Sequence, residues 1–148
     1  MDALIDGVLL TPLREIDAPG GAVLHAMKAA DAGYTGFGEA YFSTVDRGAV
    51  KGWKRHLRMT LNLVVPAGEI RFVLHDPRAA SPTRGVTTSV RLSRAHNYQR
   101  LTVPPGIWMA FQGVAAPSSM LLNVADLPHD PAEAERCDPA TFPFDWTL

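Results

Sequence analysis

The sequence predicts an all-β fold, a sandwich or small jelly-roll barrel with little helix. Three observations carry this. Proline and glycine each occur 12 times and are spread along the 148 residues, cutting the chain into short segments. The segments between are rich in β-branched and aromatic residues, as in Glu39–Val45 (EAYFSTV) and Val86–Leu92 (VTTSVRL). Several alternate apolar and polar residues with the period of two that a strand imposes.

Residues 7–16 read as an extended segment broken by Pro12, a residue that favours a sheet edge. Asp17-Ala-Pro-Gly-Gly is a turn. Ala22–Ala30 fits a short helix or a strand equally well. Residues 32–38 form a loop, and Glu39–Val45 a strand. Gly52–Val64 reads as one long strand, with Gly52, Lys54, His56, Arg58, Thr60 and Asn62 on one face. Its other face carries Trp53, Arg55, Leu57, Met59, Leu61 and Leu63. Pro66-Ala-Gly turns the chain into a second strand, Glu69–His75. Residues 76–85 form a loop, with Asp76-Pro77 as its opening turn. Strands follow at 86–92, 98–103, 107–114 and 120–124, with Pro104-Pro-Gly a tight turn. Four prolines between 128 and 143 forbid a long regular element in the tail, although a helical turn over 131–137 suits Pro131 at its start. Phe142, Phe144 and Trp146 are expected to pin this tail to the body.

Length and composition fit one soluble domain, residues 1–148, with N-terminal strands in 1–37 and a proline-rich tail over 126–148. Hydrophobic residues make up 47% and charged residues 20%, enough for a core without staples. A net charge of −1 gives no bulk attraction to nucleic acid or an anionic membrane. No apolar run approaches the roughly 20 residues that span a bilayer. The N-terminus, with an acid at position 2 and no basic segment before a long apolar core, does not read as a signal peptide. The single cysteine, Cys137, has no internal disulfide partner and fits a reducing, cytoplasmic setting.

The polar stripe Lys54, His56, Arg58 and Asn62 is the main chemical feature. Two permanent cations and an imidazole projecting into one space suit an anionic ligand, with histidine the group that titrates near neutrality. The plainer alternative is a solvent-facing side of an antiparallel sheet. No metal is expected: the five histidines show no HxH or HxxxH spacing, and the cysteine has no partner at ligand distance. No GxSxG, GxGxxG or P-loop occurs. Trp53, Trp108, Phe111, Tyr41 and Tyr98 are core by default, with an aromatic ligand wall as the alternative.

Four stretches together carry a family resemblance: residues 38–56 (GEAYFSTVDRGAVKGWKRH), 61–76 (LNLVVPAGEIRFVLHD), 92–111 (LSRAHNYQRLTVPPGIWMAF) and 123–146 (NVADLPHDPAEAERCDPATFPFDW). In this order they resemble the dTDP-4-dehydrorhamnose 3,5-epimerase family and its RmlC-like cupin relatives. The resemblance implies a double-stranded β-helix (jelly roll) and a homodimer with swapped N-terminal strands. It implies a nucleotide-linked 4-keto-6-deoxyhexose as substrate, in deoxysugar or polysaccharide biosynthesis. The implied chemistry is proton abstraction next to the keto group and reprotonation, without metal or organic cofactor. The family's catalytic histidine position holds Lys54, its histidine after PPG is Met109, and Leu122 aligns with its tyrosine. The related nucleotide-sugar 3,4-ketoisomerases carry RGxHxH, against which Lys51-Gly-Trp-Lys-Arg-His places His56 at the second histidine. The resemblance therefore implies His56 as base and Lys54 as stabiliser of the enolate, or as base itself. Arg58, Asn62 and Arg71 are expected to bind phosphate or sugar, with Glu39, Tyr41, Asn97 and Gln99 as further pocket residues. A non-catalytic sugar-nucleotide-binding or regulatory cupin is the alternative that the replaced residues suggest.

Overall fold

A computed structural model describes residues 4–148. Residues 1–3, including the acid that bears on the reading of the N-terminus, lie outside the described residues. Twelve strands occur among the described residues: β1 (Leu9–Pro12), β2 (Glu15–Ala18), β3 (Gly21–Leu24), β4 (Glu39–Asp46), β5 (Val50–His56), β6 (Leu61–Ala67), β7 (Glu69–His75), β8 (Thr87–Ser93), β9 (Gln99–Val103), β10 (Trp108–Gly113), β11 (Ser118–Ala125) and β12 (Ala134–Arg136). The one helical element among them is a 3-10 turn at Pro131–Glu133. The helix-or-strand ambiguity at 22–30 resolves to β3, which pairs with β2 as a hairpin, followed by irregular chain.

One sheet has the order β1-β9-β6-β11-β4, the other β12-β5-β10-β7-β8. Most successive strands from β4 onward alternate between the two sheets, and the inner faces of the sheets pack on each other. Apolar residues from both meet there, among them Leu63, Val65, Phe72, Leu74, Leu101, Ile107 and Leu121. Alternation along β7 accounts for this directly: Ile70, Phe72 and Leu74 point into that core while Arg71, Val73 and His75 face the other way.

The long strand expected over 52–64 is two strands in different sheets. β5 ends at His56, residues 57–60 bend, and β6 starts at Leu61 in the opposite sheet. The bend reverses the parity, so Leu61 and Leu63, not Asn62, share an interior with His56. Backbone donors freed at the bend are taken up by side chains: Thr60 N donates to Asp126 Oδ1 at 2.9 Å and Met59 N to Glu133 Oε1 at 2.9 Å.

The outer face of the β5–β10–β7 sheet is covered by the tail, as expected from its aromatic residues. Trp53, Val73, Trp108 and Ala110 pack under Phe142, Phe144 and Trp146. Trp53 Nε1 donates to Pro139 O at 3.1 Å, and Gln112 Nε2 to Trp146 O at 2.8 Å. The helical turn expected at 131–137 forms only at its start. Asp130 caps it by accepting from Ala132 N at 3.0 Å, and the chain then extends as β12 beside β5.

The 76–85 loop is organised by a carboxylate. Asp76 is fully buried and accepts hydrogen bonds from Arg78 Nε (2.9 Å), Ser81 Oγ (2.6 Å) and Thr83 Oγ1 (2.7 Å). Burial alone would raise its pKa, but the donors from Arg78, Ser81 and Thr83 outweigh it and hold the carboxyl well below the usual range. This stabilisation is full above the ordinary aspartate value of 3.8 and fades as pH falls toward the depressed folded value. Asp76→Asn is expected to cost about 2–3 kcal/mol, less than for a fully buried ion pair because Arg78 is partly solvated. Thermal unfolding near neutral pH checks it, with Tm falling by roughly 4–12 °C. The difference from wild type should shrink below pH 4, where the wild-type carboxylate loses its own advantage.

Candidate active site

A cavity of about 280 Å³ opens between the two sheets. Its walls have different chemistry. The β4–β11–β6 wall supplies Tyr41, Ser43, Leu121, Asn123, Leu61 and Leu63. The opposite wall supplies Lys51, Lys54 and His56 from β5, Met109 and Phe111 from β10, and Arg136 from β12.

A bulge in β5 sets part of this arrangement. Met109 pairs with Lys54 and Phe111 with Lys51, so Gly52 and Trp53 together oppose the single residue Ala110. That extra residue brings Lys51 onto the same side as Lys54, which strict alternation does not foretell. Position 52 must be glycine: a Cβ there would lie 2.3 Å from that of Ala110.

His56 is held from behind by a residue 77 positions away. Its Nδ1 lies 2.9 Å from Glu133 Oε2 and 3.2 Å from Oε1. Glu133 is 3% exposed and also accepts from the amides of Met59 and Arg58. Burial would raise the Glu133 pKa, but the His56 ring and the two amides outweigh it, so the carboxyl is held below its usual range. An ionised Glu133 can only accept, which assigns the proton to Nδ1 and leaves the Nε2 lone pair free. Burial pushes the His56 pKa down; Glu133 pulls it up, Lys54 and Arg136 push down further, and the net shift is downward. His56 is thus a neutral, oriented imidazole near neutral pH, the state a general base needs.

Lys54 is half-buried beside it. Desolvation, followed by the charge of Arg136, lowers its pKa, against opposing pulls from Glu133 and Glu39. Lys51 Nζ donates to Thr44 O at 2.6 Å and stands 6.0 Å from the centre of the Phe111 ring. Three cationic side chains, Lys51, Lys54 and Arg136, therefore border one small cavity.

Of the residues expected at the site, His56, Lys54 and Tyr41 line the cavity, and Glu39 lies on the same strand face as Tyr41, close enough to act on Lys54. The others are elsewhere. Arg58 falls in the bend after β5 and is exposed. Asn62 faces outward and ties down the 26–33 segment, donating to Gly33 O at 3.0 Å and accepting from Thr102 at 2.6 Å. Arg71 holds the tail, donating to Gln112 Oε1 at 2.6 Å and stacking over Phe144. Asn97 and Gln99 bond to each other at 2.6 Å beside the β8–β9 turn. Leu122, aligned with the family's tyrosine, points away from the cavity, and its neighbours Leu121 and Asn123 face in. Trp53 borders the cavity and, with Trp108, packs under the tail, and Tyr98 donates to His25 O at 2.7 Å.

Ser43, Lys51, Asn123, Glu133 and Arg136 were not singled out from sequence. For Glu133 a local signal existed: Asp130-Pro131-Ala-Glu is a capped-turn pattern that fixes the direction of its last residue. Among the described residues no group of three or more His, Cys, Asp or Glu side chains could hold a metal ion. No helix of the described residues is long and apolar enough to cross a membrane.

An antiparallel jelly roll with polar side chains gathered between its sheets is the architecture of the RmlC-like cupins. No protein-family model matches the chain. It is 41% identical to a dTDP sugar isomerase of known structure from Desulfovibrio desulfuricans G20, across 96% of this chain and 92% of that one, with a TM-score of 0.91. It is 30% identical over 107 residues to the probable low-salt glycan biosynthesis epimerase Agl13 of Haloferax volcanii, covering 72% of this chain and 66% of the relative. NovW, a 4-keto-6-deoxy sugar epimerase from Streptomyces spheroides, shares the fold with a TM-score of 0.82 at 22% identity, over 93% of this chain and 72% of that one. The chain belongs to the RmlC-like family of nucleotide-sugar epimerases and isomerases.

Proposed function

We propose that the protein epimerises or isomerises a nucleotide-linked 4-keto-6-deoxyhexose, with His56 as the base. The buried His56–Glu133 pair, opening onto a cavity bordered by three cations, carries this reading. A C–H next to a ketone is acidic enough for a neutral imidazole to remove its proton, provided the resulting enolate is stabilised. His56 Nε2 takes the proton, and the electron pair moves onto the ketone oxygen. Lys54, beside His56, donates to that oxygen as negative charge develops. Delivery of a proton from water to the opposite face of the same carbon gives an epimer; delivery from His56 to the former carbonyl carbon, while the neighbouring hydroxyl passes its proton to the former carbonyl oxygen, gives the keto isomer. Lys51 and Arg136 suit the diphosphate, whose charge would balance the three cations that border the cavity.

We further propose a homodimer in the cytoplasm. A single cupin domain pairs with a second copy through the outer face of the β4–β11 sheet, where Phe42 is 64% exposed beside the partly buried Met120, Leu122 and Val124. Exchange of the N-terminal strands within 1–37 would extend that interface. The free thiol of Cys137 suits the cytoplasm.

Incubation with dTDP-4-keto-6-deoxyglucose in deuterium oxide tests the function. The expected result is deuterium next to the ketone, together with an inverted centre or a shifted carbonyl in the NMR spectrum. Binding of the sugar nucleotide without deuterium uptake or conversion would instead identify a non-catalytic binder.

A further inference from the structure

The wall opposite His56 carries a polar pair that the proton transfer described above does not use. Asn123 and Tyr41 are directly paired residues of β11 and β4, and both line the cavity. Asn123 Nδ2 donates to the Tyr41 hydroxyl oxygen at 3.0 Å. Asn123 is 3% exposed, and its Oδ1 is buried with no hydrogen-bond partner among the described residues. Leaving an amide oxygen unpaired costs about 1–3 kcal/mol, so a buried orphan of this kind calls for a reason. On the same wall, Leu61, Leu63 and Leu121 are apolar, and the remaining polar side chain, Ser43, makes no hydrogen bond to it.

We propose that Asn123 and Tyr41 together read one hydroxyl of the sugar ring and so determine which hexose the enzyme accepts. Because Nδ2 donates to the phenol oxygen, the phenol O–H is left to point elsewhere. The pair then offers one donor, the phenol, and one acceptor, the amide oxygen, on neighbouring strands. A hydroxyl group is the ligand that uses both at once. The last torsion of an asparagine is broad, so a turn of the amide brings its oxygen to the cavity when a hydroxyl arrives. Exchanging the amide oxygen and nitrogen leaves the conclusion intact: the phenol would then donate to Oδ1, and the unpaired atom would be a donor beside a phenol oxygen able to accept. Either way a hydroxyl completes the set, and a hydrogen in its place leaves the buried Asn123 amide unpaired. Such a site discriminates more sharply than an apolar pocket of the same shape.

This inference rests on the proposed function, and its test separates the two. The kcat/KM of wild type, Asn123→Leu and Tyr41→Phe is measured on the parent 4-keto-6-deoxy sugar nucleotide and on analogues lacking a single ring hydroxyl. Wild type is expected to disfavour one deoxy analogue on the order of 10²-fold. Each variant should lose activity on the parent while keeping that on the deoxy analogue, so the discrimination collapses. Asn123→Leu should also keep or raise Tm, because it removes an unsatisfied group, whereas an asparagine of purely structural value would lower it. Parent turnover with equal activity on every deoxy analogue, or discrimination retained in both variants, overturns the inference and leaves the proposed function standing. Failure of wild type to act on the parent at all overturns both.

Discussion

His56→Ala is expected to lower turnover of the 4-keto sugar by 10²–10⁴-fold, the usual range for losing a general base. Sugar-nucleotide affinity should change little, because Lys51 and Arg136 remain. Nδ1 is committed to Glu133 at 2.9 Å, so the ring cannot turn, and Nε2 is the nitrogen left for substrate. His56→Gln serves as the companion variant. Its amide can donate to Glu133 and keep the buried carboxylate partnered, yet it cannot accept a proton at neutral pH. Loss of turnover in both variants, with Tm preserved in the glutamine variant, separates chemistry from folding. Steady-state kinetics and thermal unfolding on the same samples decide it.

Glu133→Gln should lower kcat on the order of 10²-fold. The carboxylate serves three donors at once: the His56 ring and the amides of Met59 and Arg58. A glutamine has one oxygen for these three, and its NH₂ meets at least one of them donor to donor. The ring therefore loses its fixed orientation and the bend after β5 loosens. A pH effect follows with a definite sign. Glu133 raises the His56 pKa against the downward push of burial. Without the carboxylate the ring becomes harder to protonate, so the acid limb of kcat/KM should move to lower pH, while the plateau falls. A limb that moved upward would mean that Glu133 is not ionised beside His56.

Much of the fold was legible because strand parity and turn residues are local. Glu69–His75 has the bounds expected of it, and the Pro104-Pro-Gly turn separates β9 from β10. The same local rule fails at 52–64. Alternation continues unbroken in the sequence through Leu57–Thr60, and nothing there marks a crossing between sheets. That crossing is fixed by Asp126 and Glu133, residues more than 60 positions away. Strand parity alone therefore places Arg58 and Asn62 on a face they do not share with His56. Arg71 looked like a ligand for phosphate because the tail that it holds has no periodic pattern to announce it. Lys51 was hidden by the β5 bulge, and Asn123 by a one-residue offset at Leu122. His56 and Lys54 were found because they lie on β5 beyond the bulge, where alternation holds.

The pH dependence of kcat/KM for solvent-deuterium incorporation tests the central claim most directly. A buried, neutral His56 acting as base requires a single acid limb with its midpoint below the ordinary histidine value of 6.5 and a plateau through neutral pH, both absent in His56→Ala. Incorporation that instead rises only through alkaline pH, and persists in His56→Ala, would contradict it and assign the base to Lys54.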